Sequence, residues 1–147
     1  MAIHKIDGVD GVNHFPKKFV TLTAAGTITA GQIVSIDTGT TTNGAGMHVV
    51  ACTTLDDELV IGVAAEAASS GDEVKVQVAG MNADTTAGGA VSAGTLIGCS
   101  TGSAPAVLSA ANTTTRAFAV CTKAFTTDPD VNYTDGEIMI FDHGWYG

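Results

Sequence analysis

Apolar and polar positions alternate with a period of two in several short stretches of this chain. That is the spacing of a strand with one face buried. The clearest stretch is Glu73-Val74-Lys75-Val76-Gln77-Val78-Ala79-Gly80, which places Val74, Val76 and Val78 on one face. Val34 and Ile36 alternate with Ser35 and Asp37 in the segment that starts at Thr27. Residues 19–23 are β-rich and end at Ala25-Gly26, residues 48–53 are a short apolar run, and residues 59–65 read as a buried strand. Turns are expected at Asp56-Asp57-Glu58 and Ser69-Ser70-Gly71-Asp72, with a Thr/Gly/Asn loop over 38–46. Helical spacing is weak, and residues 63–69 and 108–116 read as short turns.

The pattern then repeats. Ala30-Gly31 lies within TITAGQIV and Ala93-Gly94 within AVSAGTLI, 63 residues later. Val60-Ile61-Gly62-Val63-Ala64 has its echo in Ala117-Phe118-Ala119-Val120-Cys121, and the block from Gly71 to Val76 in that from Asp135 to Ile140. Each half reads as an Ala-Gly turn, a strand, a variable loop, an IGVA-like strand, a turn and a closing strand. Two such units build one small barrel or sandwich. The expectation is an all-β single domain, a β-barrel or tulip-like sandwich made of two similar halves. The domain covers residues 19–147, with halves of roughly 19–80 and 81–147, and an extended arm over 1–18 precedes it.

Composition supports this reading. Charged residues are 14% and hydrophobic residues 45% of the 147, the reverse of a disordered chain. The net charge of −9 disfavours bulk nucleic-acid binding, which needs a basic face. The charge is uneven. Lys5, Lys17 and Lys18 against Asp7 and Asp10 leave the arm at +1, and the other three basic and 13 acidic residues leave the body at −10. A mildly basic arm on an acidic body reads as a docking segment. No apolar run approaches the length of a membrane span, and the opening MAIHKIDGVDG has no apolar stretch of the kind a secretory leader carries. Neither membrane nor nucleic acid is expected as a partner. Cys52, Cys99 and Cys121 are widely spaced, lack zinc-ligand spacing and read as buried free thiols of a protein made in a reducing cytoplasm.

Candidate chemistry is sparse. His4, His14, His48 and His143 are scattered, no G-x-S-x-G elbow or phosphate-binding Gly-rich loop occurs, and no catalytic site or cofactor is expected. Asp128, Asp130 and Asn132 match the first ligand positions of a calcium loop. The match then fails, with Tyr133 where the turn needs Gly and Met139 where the bidentate Glu belongs, so no metal site is expected. The tail holds Phe141, Trp145 and Tyr146, three of the chain's eight aromatics. Trp and Tyr are preferred interface anchors. The candidate contacts with another subunit or surface are therefore His4, Lys5, His14, Phe15, Lys17 and Lys18 of the arm and Trp145 and Tyr146 of the tail.

The segments TITAGQIVSID, VIGVAAEAASSGDEVKVQVAG and GAVSAGTLIGCS, spread over residues 19–141, resemble the capsid decoration (cement) proteins of tailed phages. Glu66-Ala67-Ala68 and Gly71-Asp72-Glu73-Val74 carry most of the likeness. Cys121-Thr122-Lys123-Ala124 departs from it, standing where A-x-E-A is expected. The resemblance implies a compact all-β protein that binds the major capsid protein on the outside of the head and stabilises the shell. It also implies a homotrimer at threefold or quasi-threefold positions. Two other classes compete. A carbohydrate-binding or adhesion module on the virion surface would suit a Thr-rich β surface but needs exposed aromatics, and the sequence offers only the C-terminal cluster. A small enzyme would need a His/Asp/Glu cluster, which the sequence lacks.

Overall fold

The strongest alternation in the sequence becomes the longest strand of the computed structural model, which describes residues 16–39, 48–53, 59–99, 108–110, 117–126 and 133–142. These residues form nine strands: β1 (Lys18–Ala24), β2 (Ile33–Ile36), β3 (His48–Ala51), β4 (Val60–Ala64), β5 (Glu73–Asn82), β6 (Leu96–Cys99), β7 (Leu108–Ala110), β8 (Ala119–Lys123) and β9 (Glu137–Ile140). No helix occurs among the described residues.

The first five strands close into a barrel in the order β1-β3-β2-β4-β5, with β1 pairing back onto β5. Neighbours are antiparallel except β1 and β3, which run parallel through Thr23–His48 and Ala24–Val49. Closure removes the sheet edges. The alternation of β5 determines what lies inside: Val74, Val76 and Val78 are wholly buried, beside Ala24, Ile28, Val34, Val49 and Ile61.

β5 does not stop where the barrel does. Gly80 takes φ +93°, and a Cβ there would stand 2.7 Å from the carbonyl oxygen of Pro16, so the strand turns past the chain entry at a residue without a side chain. Beyond the turn, Gly80, Met81 and Asn82 pair with Ile140, Met139 and Ile138 of β9. A second sheet follows in the order β5-β9-β8-β6-β7.

The second sheet repeats the first unit in register. Val34 faces Ala51 and Gly62 in the first half, and Ile97 faces Ala110 and Ala119 in the second. The Ala-Gly turns match as well: Gly31 and Gly94 share φ +86°, and Gln32 N–H to Thr29 and Thr95 N–H to Ser92 are both 3.2 Å bonds. The cores also correspond: Ala24 with Ala87, Ile28 with Val91, Val34 with Ile97, Ile61 with Phe118, Ala64 with Cys121, Ala68 with Phe125, Val74 with Ile138 and Val76 with Ile140.

Among the described residues, no pairing in the second half corresponds to that of β1 with β3. Its interior is filled in two other ways. Phe118 and Phe125 replace Ile61 and Ala68, and Ile33, Cys52, Val60 and Val63 of the first half join the same cluster. Interiors close-pack, and here side chains of both halves fill one cluster. Two expectations are corrected by this architecture. Residues 108–110, read as part of a short turn, are strand β7, because Cys99, Gly98 and Ile97 provide a ladder that the local sequence could not reveal. Lys18, assigned to the arm, is the first residue of β1 and pairs with Ala79. The three cysteines are free and buried, as expected.

A buried polar bracket joins the halves. Gln77 Nε2 donates to the carbonyls of Ala79 (3.1 Å) and Met81 (2.8 Å), and its Oε1 accepts from Asn82 Nδ2 (3.0 Å). Asn82 Oδ1 accepts from the N–H groups of Asp84 and Thr85, both at 3.0 Å, and Thr85 Oγ1 donates to the Gly31 carbonyl at 3.2 Å. Gln77, Asn82 and Thr85 are all buried, and their mutual bonds offset a desolvation cost that each would carry alone.

Candidate interaction surface

The two ends of the described body meet. Pro16 and Lys17 approach β5 at Gly80, and at the other end of the chain Phe141 N–H donates to the Phe118 carbonyl as β9 runs out. Lys18 Nζ forms an ion pair with the Asp142 carboxylate across this meeting point. Both groups are nearly half exposed, so the pair adds little to stability. It does mark how close the roots of the arm and the tail lie. Between them is a groove of about 400 Å³, walled by Pro16, Ala79, Met139, Ile140 and Phe141, with the Lys18–Asp142 pair in its lining. The walls are chiefly apolar and the rim is charged, the layout of a contact patch.

Of the contacts expected from the sequence, His4, Lys5, His14, Phe15, Trp145 and Tyr146 lie outside the described residues. Lys17 and Lys18 lie within them, both exposed and on different cavities. The candidate calcium positions Asp128, Asp130 and Asn132 also lie outside. Asp135 just beyond them accepts from Thr126 N–H at 3.0 Å and Oγ1 at 2.9 Å, so its carboxylate is engaged in a loop brace. Among the described residues no group of three or more His, Cys, Asp or Glu could hold a metal ion. Among them, too, no helix is long and apolar enough to cross a membrane. Burial holds the Cys121 thiol above the ordinary range, against the weaker pull of backbone bonds at Phe125 and Lys123. That makes it a poor nucleophile.

The residues that carried the family resemblance have local structural tasks. Glu66 Oε1 accepts from Lys75 N–H at 2.9 Å and braces the β4–β5 hairpin. Gly71 N–H donates to the Ala24 carbonyl at 2.7 Å, and Ala24 N–H donates to that of Asp72 at 2.8 Å, tying the same hairpin to β1. In the second half Lys123 takes the place of Glu66, and the brace passes to Thr122 Oγ1, which donates to the Glu137 carbonyl at 3.1 Å.

A feature missed from sequence lies on the other side of β1. Phe19 is 41% exposed, with the Lys75 ammonium 4.6 Å from its ring centroid. It borders a cavity of about 420 Å³ together with Lys17, Gly31, Asn82 and Asp84. Alternation alone placed Phe19 in a strand. The signal that could have exposed it is that Val20, Leu22 and Ala24 claim the opposite, inward face.

A closed five-stranded β-barrel that shares its last strand with a second sheet repeating its unit defines an all-β, single-domain class. The fold is similar to a solved structure of the head fiber gp8.5 N base of bacteriophage phi29, which aligns at a TM-score of 0.58 with 11% identity over 86% of this chain and 95% of that one. At this identity the likeness is one of fold. No protein-family model matches the chain, and no curated protein matches it.

Proposed function

We propose that this protein is a structural component of a phage virion that binds the outer surface of the icosahedral head and cements it. Its partner is the major capsid protein, and three copies stand together at threefold or quasi-threefold positions. The observation that carries the reading is the convergence of arm and tail. Pro16 and Asp142, the described residues next in sequence to the segments bearing His4, Lys5, His14 and Phe15 and bearing Trp145 and Tyr146, both line the groove that holds the Lys18–Asp142 pair. A fold shared with the base of a phage head fiber supports a role on a phage head. A docking pole of this kind needs only modest affinity per copy, because neighbouring sites act together.

Co-sedimentation with heads stripped of this protein tests the proposal. A chain starting at Pro16 should melt within about 1 kcal/mol of the full chain, since the barrel begins at Lys18, yet bind heads at least about tenfold more weakly. Trp145→Ala with Tyr146→Ala should act in the same direction. Unchanged binding of both variants would overturn the docking pole.

A further inference from the structure

Phe19 borders a cavity whose size and chemistry call for a ligand of its own. The cavity measures about 420 Å³, within the range of small-molecule sites. Small residues line much of it: Ala30 and Gly31 beside Ala64 and Ala65, with Gly31 N–H donating to the Ala64 carbonyl at 2.8 Å. Its far side is the bracket, where Asn82 is held by Gln77 and by the N–H groups of Asp84 and Thr85 and cannot swing away. One N–H of Asn82 Nδ2 is used on Gln77 and a second remains. The Lys75 ammonium steadies the Phe19 ring, and Lys75 is not among the residues that wall the cavity.

We propose that this cavity is a binding site for a neutral mono- or disaccharide. A sugar ring presents an apolar C–H face and a rim of hydroxyl groups, each both donor and acceptor. Phe19 offers a rigid, half-exposed platform for the first. Asp84 offers a carboxylate acceptor, and Asn82 and Lys17 offer donors, for the second. Lys17 and Asp84 cancel in charge, so the site favours neither an anion nor a cation. The cavity shares no lining residue with the groove, which Pro16 and Lys18 line, so a molecule docked through the groove occupies a different set of residues.

The test is amide NMR of the full chain, titrated with glucose, galactose, N-acetylglucosamine and maltose, with sodium acetate and glycine as charged controls. At least one sugar should move the Phe19, Gly31, Ala65 and Asp84 signals together and saturably. Phe19→Ala and Asp84→Asn should each weaken that response by about tenfold while amide signals remote from the cavity stay in place, which shows the fold retained. Phe19→Trp, with a larger platform, should retain or strengthen it, which a merely structural role would not produce. Shifts caused by acetate or glycine and by none of the sugars would overturn the assignment. So would the absence of any concerted shift, or a sugar response that survives both weakening variants.

Discussion

At the scale of single residues, the duplication provides internal controls. Gly31 and Gly94 occupy the same place in the two halves with the same φ of +86°. A Cβ on Gly94 meets nothing within 4 Å, whereas one on Gly31 would lie 2.5 Å from the Asp84 carbonyl oxygen. Gly94→Ala therefore carries only the left-handed backbone cost, about 1–2 kcal/mol. Gly31→Ala adds a collision with the backbone that links the halves, which cannot yield as a flexible side chain could. Its loss should be about 3–5 kcal/mol. Denaturant unfolding of the two variants measures the difference, and equal losses would mean that the linker does not press on the turn.

At the scale of elements, strand β5 belongs to both sheets, and the bracket of Gln77, Asn82 and Thr85 sits where it passes from one to the other. Removing Gln77 leaves Asn82 Nδ2 and the carbonyls of Ala79 and Met81 without their partner in a buried setting. Gln77→Ala should then cost about 2–4 kcal/mol. It should also broaden the thermal unfolding transition, because the first barrel is closed on its own and the bracket is one of the links that position the second sheet. A sharp, unshifted calorimetric transition would show that the shared hydrophobic cluster alone couples the halves. The same elements show how far the sequence could be read. Val74, Val76 and Val78, the Ala-Gly turns and the 63-residue repeat were legible, because period-two burial and left-handed glycines are local properties. The parallel β1–β3 contact, the strand at 108–110 and the extension of β5 to Asn82 were not, since each depends on a partner distant in the chain. The candidate site divides in the same way. Lys17 and Lys18 were legible as exposed charges. The meeting of Lys18 with Asp142, 124 residues apart, and the exposure of Phe19 beside Asp84 exist only once the sheets have formed.

At the scale of the whole molecule, the proposed role requires a small acidic body to strengthen a shell through the groove as its docking pole. A lone copy of a domain this size offers a patch of about 800 Å², enough to bind one neighbour but not to brace several. Three copies around a symmetry axis tie several capsid subunits together, and closed symmetry keeps the assembly from growing into fibres. Charge works against this in free solution. The net charge of −9 on each chain makes three bodies in contact repel one another, and the repulsion weakens as the screening length falls to about 8 Å at physiological salt. Of the basic residues assigned to the arm, Lys18 lines the groove already paired with Asp142 and Lys17 lines the other cavity, so relief of the repulsion is expected from salt. The expected outcome is a trimer on the head whose occupancy rises with moderate salt, and a free protein whose trimer fraction in light scattering rises in the same direction. A density map of decorated heads checks the geometry. Three copies should surround each threefold or quasi-threefold axis, with the groove between Pro16 and Phe141 turned toward the shell. Isolated copies away from any such axis would rule out the trimer, and copies seated with the groove facing outward would rule out the docking pole even if the trimer stood.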